Sequence, residues 1–184
     1  MKKTTQIILI GIISIILFTA CSKYDVEKPN LTQEQKEDLE NKINENLEKF
    51  KDETLVEGNK LQFLQEIAIK YERLGQYDNA IKYYEQILEK EPQNFLVLNN
   101  LAFIYEQVEE LELAEFYISK LYLNNKDDRG VIGDTIRILV KNKKFEDAQL
   151  VLNEYARDFQ DTTTLAFISS QFEYIQRMRK ANEQ

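Results

Sequence analysis

Histidine is absent from the chain, cysteine occurs once, and two prolines and five glycines are all that 184 residues contain of the strongest structure breakers. Without an imidazole the commonest general base and metal ligand is missing, and with a single thiol no intramolecular disulfide forms. The glycines, Gly11, Gly58, Gly75, Gly130 and Gly133, make no phosphate-cradling loop. Scarce glycine and proline argue for helices joined by short turns, not for sheet. Basic residues are in deficit, 24 Lys and Arg against 32 Asp and Glu for a net charge of −8. No basic face beyond the short cluster Arg177, Arg179, Lys180 could neutralise phosphates, so nucleic acid is not an expected partner. That cluster reads as the favourable positive end of a last helix. Carboxylates are abundant, yet Glu109, Glu110, Glu112 and Glu115 read as a solvated face and Asp128 as a helix start. The expectation is therefore a protein that is not an enzyme, with no catalytic, metal or cofactor site. A carboxylate-based cell-wall hydrolase is the weakest alternative.

What is present begins at the N-terminus. Lys2 and Lys3 precede a 14-residue run from Ile7 to Ala20, and Cys21 follows directly. The run is shorter than the ~20 residues a membrane-spanning helix needs but suits the apolar region of a secretory signal. Leu17, Phe18, Thr19, Ala20 and Cys21 resemble the lipobox of bacterial lipoproteins. The resemblance implies that the Cys21 thiol is acylated and that residues 1–20 are removed as a signal peptide. Signal cleavage that leaves a free thiol, or an uncleaved anchor, are the other readings of the same residues. Ser22 after the cysteine implies, by the same resemblance, delivery to an outer membrane facing the periplasm where two membranes exist, and otherwise the outer face of the cytoplasmic membrane.

Residues 21–31 then read as the lipidated cysteine and a flexible tether, polar and interrupted by Pro29. Residues 32–60 hold an N-terminal capping helix. Thr32 and Gln35 have capping-box spacing, and Leu39, Ile43, Leu47 and Phe50 fall on one face. Such a single apolar stripe needs a neighbour to cover it.

A 34-residue period supplies the neighbour. It links Leu64, Leu98 and Ile132; Tyr71, Tyr105 and Leu139; Tyr77, Leu111 and Phe145; Ala80, Ala114 and Ala148; and Tyr84, Ile118 and Leu152. Within the first unit the apolar spacing is helical on both sides of Gly75, and Pro92 stops the second helix. This resembles the tetratricopeptide repeat (TPR), a helix A, turn, helix B unit. Three copies span residues 61–94, 95–128 and 129–162. The first matches the family pattern at Leu64, Ile67, Ala68, Tyr71, Gly75, Tyr77, Ala80, Tyr84 and Pro92. Glu109 and Lys126 replace its Gly and Pro in the second copy, Lys143 and Gln160 in the third, where Asn142 is available for the turn. Residues 163–184 form a C-terminal capping helix with a stripe of Leu165, Ile168, Phe172 and Ile175. The fold class expected is all-α, a right-handed superhelical stack of helix-turn-helix repeats with capping helices at both ends.

The resemblance also implies a concave face lined by helix A. On it would lie Gln62, Gln65, Ile69 and Glu72 of the first copy, Leu96, Asn99, Phe103 and Glu106 of the second, with Asn100 beside them, and Gly130, Gly133, Arg137 and Val140 of the third. The groove residues singled out for a protein or peptide partner are Gln62, Gln65, Ile69, Leu96, Asn99, Asn100, Phe103 and Arg137. Ile69 and Phe103 either face a partner or merely contact adjacent helices. Phe167, Tyr174 and Met178 form a second apolar line, read as core or as a homodimer contact. The leading expectation is a lipid-anchored envelope adaptor that binds a protein partner. A homo-oligomer associating through its end helices is the alternative.

Overall fold

The computed structural model describes residues 29–158 and 162–183. Cys21 and residues 1–28 lie outside the described residues, as do positions 159–161. Among the described residues eight helices follow in order: α1 (Gln33–Phe50), α2 (Glu57–Arg73), α3 (Tyr77–Lys90), α4 (Phe95–Gln107), α5 (Leu111–Asn124), α6 (Arg129–Lys141), α7 (Phe145–Asp158) and α8 (Thr162–Asn182). They form a right-handed superhelical stack in which α2/α3, α4/α5 and α6/α7 are the three A/B hairpins.

Local chemistry fixes the boundaries. Thr32 Oγ1 accepts from the Gln35 N–H at 3.2 Å while Gln35 Oε1 accepts from the Thr32 N–H at 2.9 Å, so two otherwise orphaned donors at the start of α1 are satisfied reciprocally. Asn94 caps α4 by accepting from Val97 N, and 34 residues later Asp128 caps α6 by accepting from Gly130 N and Val131 N. Each A/B turn places one residue in the left-handed region: Gly75 at φ 67°, Glu109 at 59° and Lys143 at 59°. The hydrogen bonds around them repeat as well, from Gln76 N to Tyr71 O, Glu110 N to Tyr105 O, and Lys144 N to Leu139 O. This is the helix-ending pattern glycine serves best. In the third turn Lys143, not Asn142, takes the left-handed position. Asn142 keeps φ at −78° and instead donates its side-chain N–H to Glu115 at 2.7 Å.

The period becomes packing. Ala80, Ala114 and Ala148 are completely buried, as expected where helices approach closely. Tyr71 stacks on Tyr83 at 5.6 Å, and one unit on Tyr105 stacks on Tyr117 at 5.5 Å. Such pairs contribute roughly 0.5–1.5 kcal/mol beyond their area. One core runs from Leu64 to Ile138 through α2 to α6, and a second joins Ile132, Ile136, Leu139 and Val140 of α6 to Leu152 of α7 and Ile175 of α8. At the other end, Leu39 and Ile43 of α1 cover Ile67 and Leu74. Buried Asn46 of α1 donates to Glu66 Oε2 at 2.8 Å, and this hydrogen bond holds the Glu66 carboxyl below its ordinary range. The C-terminal stripe differs from its sequence reading at Phe172, which is 48% exposed, whereas Phe167 and Tyr174 turn toward the second core.

Candidate functional site

Each A helix packs on the B helix before it, and side chains from successive A helices meet across the junctions between units, as Arg137 and Glu106 do. Between α2, α4 and α6 this leaves a cleft of about 370 Å³. Its floor is apolar, built from Ala102, Ile118 and Ile138, and its walls carry Glu72, Asn99, Asn100, Phe103, Asp134 and Arg137. Phe103 stands on the rim with 43% of its surface exposed, at a helical position where both flanking residues, Ala102 and Ile104, are buried.

At the first junction, Asn100 Nδ2 donates to the Tyr84 hydroxyl at 2.7 Å, and that hydroxyl donates to Glu72 Oε2 at 2.9 Å. Burial pushes the Glu72 carboxyl above its ordinary range, and the Tyr84 hydrogen bond offsets only part of this. Burial and the neighbouring carboxylate push the Tyr84 phenol upward, so it stays protonated and remains the donor. At the second junction Glu106 is 2% exposed. It is held by Arg137 Nη1 on one oxygen and by Lys141 Nζ, 2.8 Å away, on the other. The second arm of Arg137 donates to Asp134 Oδ1 at 2.7 Å.

These contacts sort the residues singled out by sequence. The cleft brings together Asn99, Asn100, Phe103 and Arg137. Gln62, Gln65 and Leu96 lie on the same helices outside it, Gln62 and Leu96 exposed and Gln65 half-buried. Ile69 is partly buried against the first core and so serves packing. Arg137 and Asn100 are engaged by protein groups, and the Arg137 charge is already offset by Glu106 and Asp134, which weakens both as anchors for a ligand carboxylate. Val140 is buried in the second core, and α8 closes over the third unit, bringing the Phe167 ring within 3.9 Å of where a side chain on Gly133 would begin. That approach closes the concave face beside Gly133 from within the chain. Phe167 also packs edge-on against Tyr155 at 5.7 Å, and Tyr174 is partly buried, so the line drawn with Met178 does not form one open surface. Sequence reasoning missed Asp134, Lys141 and the role of Glu106. Only the spacing of Glu106, three positions after Phe103 on the predicted concave face, hinted at the last.

A stack of three helical hairpins with a cleft on its A-helix face is an architecture similar to that of tetratricopeptide repeats. Residues 73–133 match the tetratricopeptide repeat family model. Solved structures agree on the fold. MamA of AMB-1 superposes with a TM-score of 0.52 at 17% identity, covering 80% of this chain and 86% of that one. A Podosopora anserina protein of the kinesin light chain kind, with nearly identical TPR-like repeats, gives 0.53 at 14% identity over 82% and 95%. By sequence, the uncharacterised protein ycf37 of Pyropia yezoensis is 46% identical over 59 residues, which are 30% of this chain and 33% of that protein. Its counterpart in Guillardia theta is 38% identical over 63 residues, 33% and 35% respectively. The chain thus spans about a third of the length of these relatives.

Proposed function

We propose that the protein is a lipid-anchored adaptor of the cell envelope that holds a partner protein by an exposed segment carrying a lysine or arginine. The observation that carries this reading is the cleft beside Phe103. The carboxylates Glu72 and Asp134 line it, and the cations nearby are already committed, Arg137 to Glu106 and Asp134 and Lys141 to Glu106, which leaves Glu72 without a cation. A terminal carboxylate would meet the neutral amide of Asn99 but no uncompensated cation, since Arg137 is already paired with Glu106 and Asp134. A basic side chain can lay its aliphatic stem on the floor, its cation against the Phe103 ring, and its head near Glu72. The lipobox-like run ending at Cys21 supports the anchor, since more than one acyl chain on the cysteine would hold the protein at a membrane stably.

A photo-crosslinking residue at position 99 in intact cells should capture the partner. Phe103→Ala should then weaken binding of the captured segment by about 2 kcal/mol, as for a central aromatic anchor. Because Phe103 is open, the variant should melt within a few degrees of the parent. Normal binding by a normally melting Phe103→Ala protein would remove the cleft from consideration. Cys21→Ser should release the protein from membranes or leave it as the precursor, and a mature-sized, still membrane-bound variant would contradict the anchor.

A further inference from the structure

Glu72 is a half-buried carboxylate that accepts one hydrogen bond, from the Tyr84 hydroxyl, and pairs with no Lys or Arg among the described residues. An anion partly withdrawn from water and left without a counter-charge favours any ammonium that can reach it. Arg137 and Lys141 do not supply one, because Glu106 holds both. The place where the described chain begins points to another lysine.

Helices α1 and α2, joined by residues 51–56, run antiparallel, with Asn46 bonded to Glu66 and with Leu39 and Ile43 packed in one core with Ile67 and Leu74. From the Asn46–Glu66 bond, α2 runs six residues on to Glu72 and α1 runs fourteen back to Thr32, in the same direction in space. Thr32 therefore lies beyond the level of Glu72 by eight residues of helix, about 12 Å. Adding the 8–10 Å between packed helices puts the start of α1 on the order of 20 Å from the Glu72 carboxylate. Leu31 packs against the core of Ile67 and Leu74, which fixes the chain at that end of α2. The residues before Pro29 read SKYDVEK, 22–28. Lys28 adjoins Pro29 and is too close to it to span the gap. Lys23 precedes Pro29 by six residues, about 20 Å of extended chain, and its aliphatic stem adds to the reach.

Resting on the reading that the cleft takes a basic side chain, we infer that Lys23 of the chain's own tether docks in the cleft beside Phe103 with its ammonium on Glu72, and occludes the cleft until a partner segment displaces it. An attached segment this short acts at an effective concentration of about a millimolar, so even a weak contact keeps the cleft largely filled. A partner then binds with its affinity reduced by the fraction of clefts already occupied. Cys21 stands two residues before Lys23. With that cysteine acylated, docking holds the cleft against the membrane, and displacement frees the eight residues from Cys21 to Pro29, a stand-off of up to about 26 Å.

The test uses the full chain, purified in mild detergent without a partner. With p-benzoylphenylalanine in place of Asn99, irradiation should join the cleft to residues 22–28 in a product of monomer size, mapped by mass spectrometry. Lys23→Ala and Glu72→Gln should each lower the yield about fivefold or more, and Lys28→Ala should leave it within about twofold of the parent. In a second arm the peptide acetyl-Gly-Ala-Lys-Ala-Gly-amide is titrated into isotope-labelled chain and followed by the backbone amide shifts of Asn99, Asn100 and Phe103. It should bind the Lys23→Ala chain about tenfold more tightly than the parent. Equal affinity for the two chains would leave the cleft a site for basic segments and overturn the place of the tether in it. Shifts in neither chain would overturn the cleft reading itself and this inference with it. A crosslink that survives Lys23→Ala, no crosslink to residues 22–28, or a product of dimer size, which would give the segment to a second copy, would each overturn the inference as well.

Discussion

Glu72 and Glu106 occupy the same position of consecutive units, 34 residues apart, yet the structure uses them in opposite ways. Glu72 borders the cleft and receives one neutral hydrogen bond, from the Tyr84 hydroxyl. Glu106 is sealed beneath two cations supplied by α6. The difference does not lie in the glutamates. Where the first unit has Tyr84 the second has Ile118, which cannot donate, and where α4 offers Phe103 and Gln107 to the first junction, α6 offers Arg137 and Lys141 to the second. One repeat position therefore serves as cleft wall at one junction and as buried anion at the next.

This contrast can be broken in order of expected effect. Replacing both Arg137 and Lys141 by alanine strands Glu106 as a buried, unpaired carboxylate and should cost about 3–5 kcal/mol in a denaturant titration. Glu106→Gln should cost clearly less, because the two cations are 37% and 47% exposed and can turn to water. Equal losses would mean that Glu106 is better solvated than its burial implies. Tyr84→Phe removes the donor to Glu72 and the acceptor for Asn100, and should cost about 1–2 kcal/mol, since both former partners line the open cleft. A loss as large as that of the double alanine variant would erase the distinction between the junctions.

Turns sharpen the comparison further. Gly75 serves the first left-handed position at no steric cost, whereas Glu109 and Lys143 adopt the same angle with a side chain. Glu109→Gly or Lys143→Gly should each stabilise the protein by about 0.5–1 kcal/mol in thermal melts, the relief of left-handed strain exceeding the added freedom of the unfolded chain. Gly75→Ala should do the reverse. No change at either turn would indicate that local hydrogen bonds already offset the strain.

The smallest expected effect is a pH dependence. Because burial raises the Glu72 carboxyl in the folded state, folding favours its protonated form. Its contribution to stability is present below the ordinary glutamate range and is lost as the pH rises through the raised value. Glu72→Gln keeps an acceptor for Tyr84 and removes the titration, so the stability of the variant relative to the parent should rise between pH 4 and pH 7. A pH-independent difference would place Glu72 in ordinary solvent.

The sequence determined what depends on nearest neighbours along the chain and on a fixed period. Helix starts at Thr32, Asn94 and Asp128 follow from side-chain oxygens that reach backbone N–H groups two or three residues on. The buried alanines and the stacked tyrosines follow from a spacing that places the same face of each helix against its hairpin partner. The tertiary structure alone decided which concave residues are open, because that depends on side chains from the following unit. Phe103 is exposed and Ile69 is partly buried although both hold the same repeat position, and Arg137, singled out for a partner, is paired with Glu106. The placement of α8 is of the same kind: its periodicity marks a helix, but packing against α6 and α7 decided that Ile175 is buried while Phe172 stays 48% exposed. Local hydrogen bonding and periodicity act within one unit, whereas burial and ion pairing at a junction are set by how two units are offset, and that offset emerges from packing as a whole.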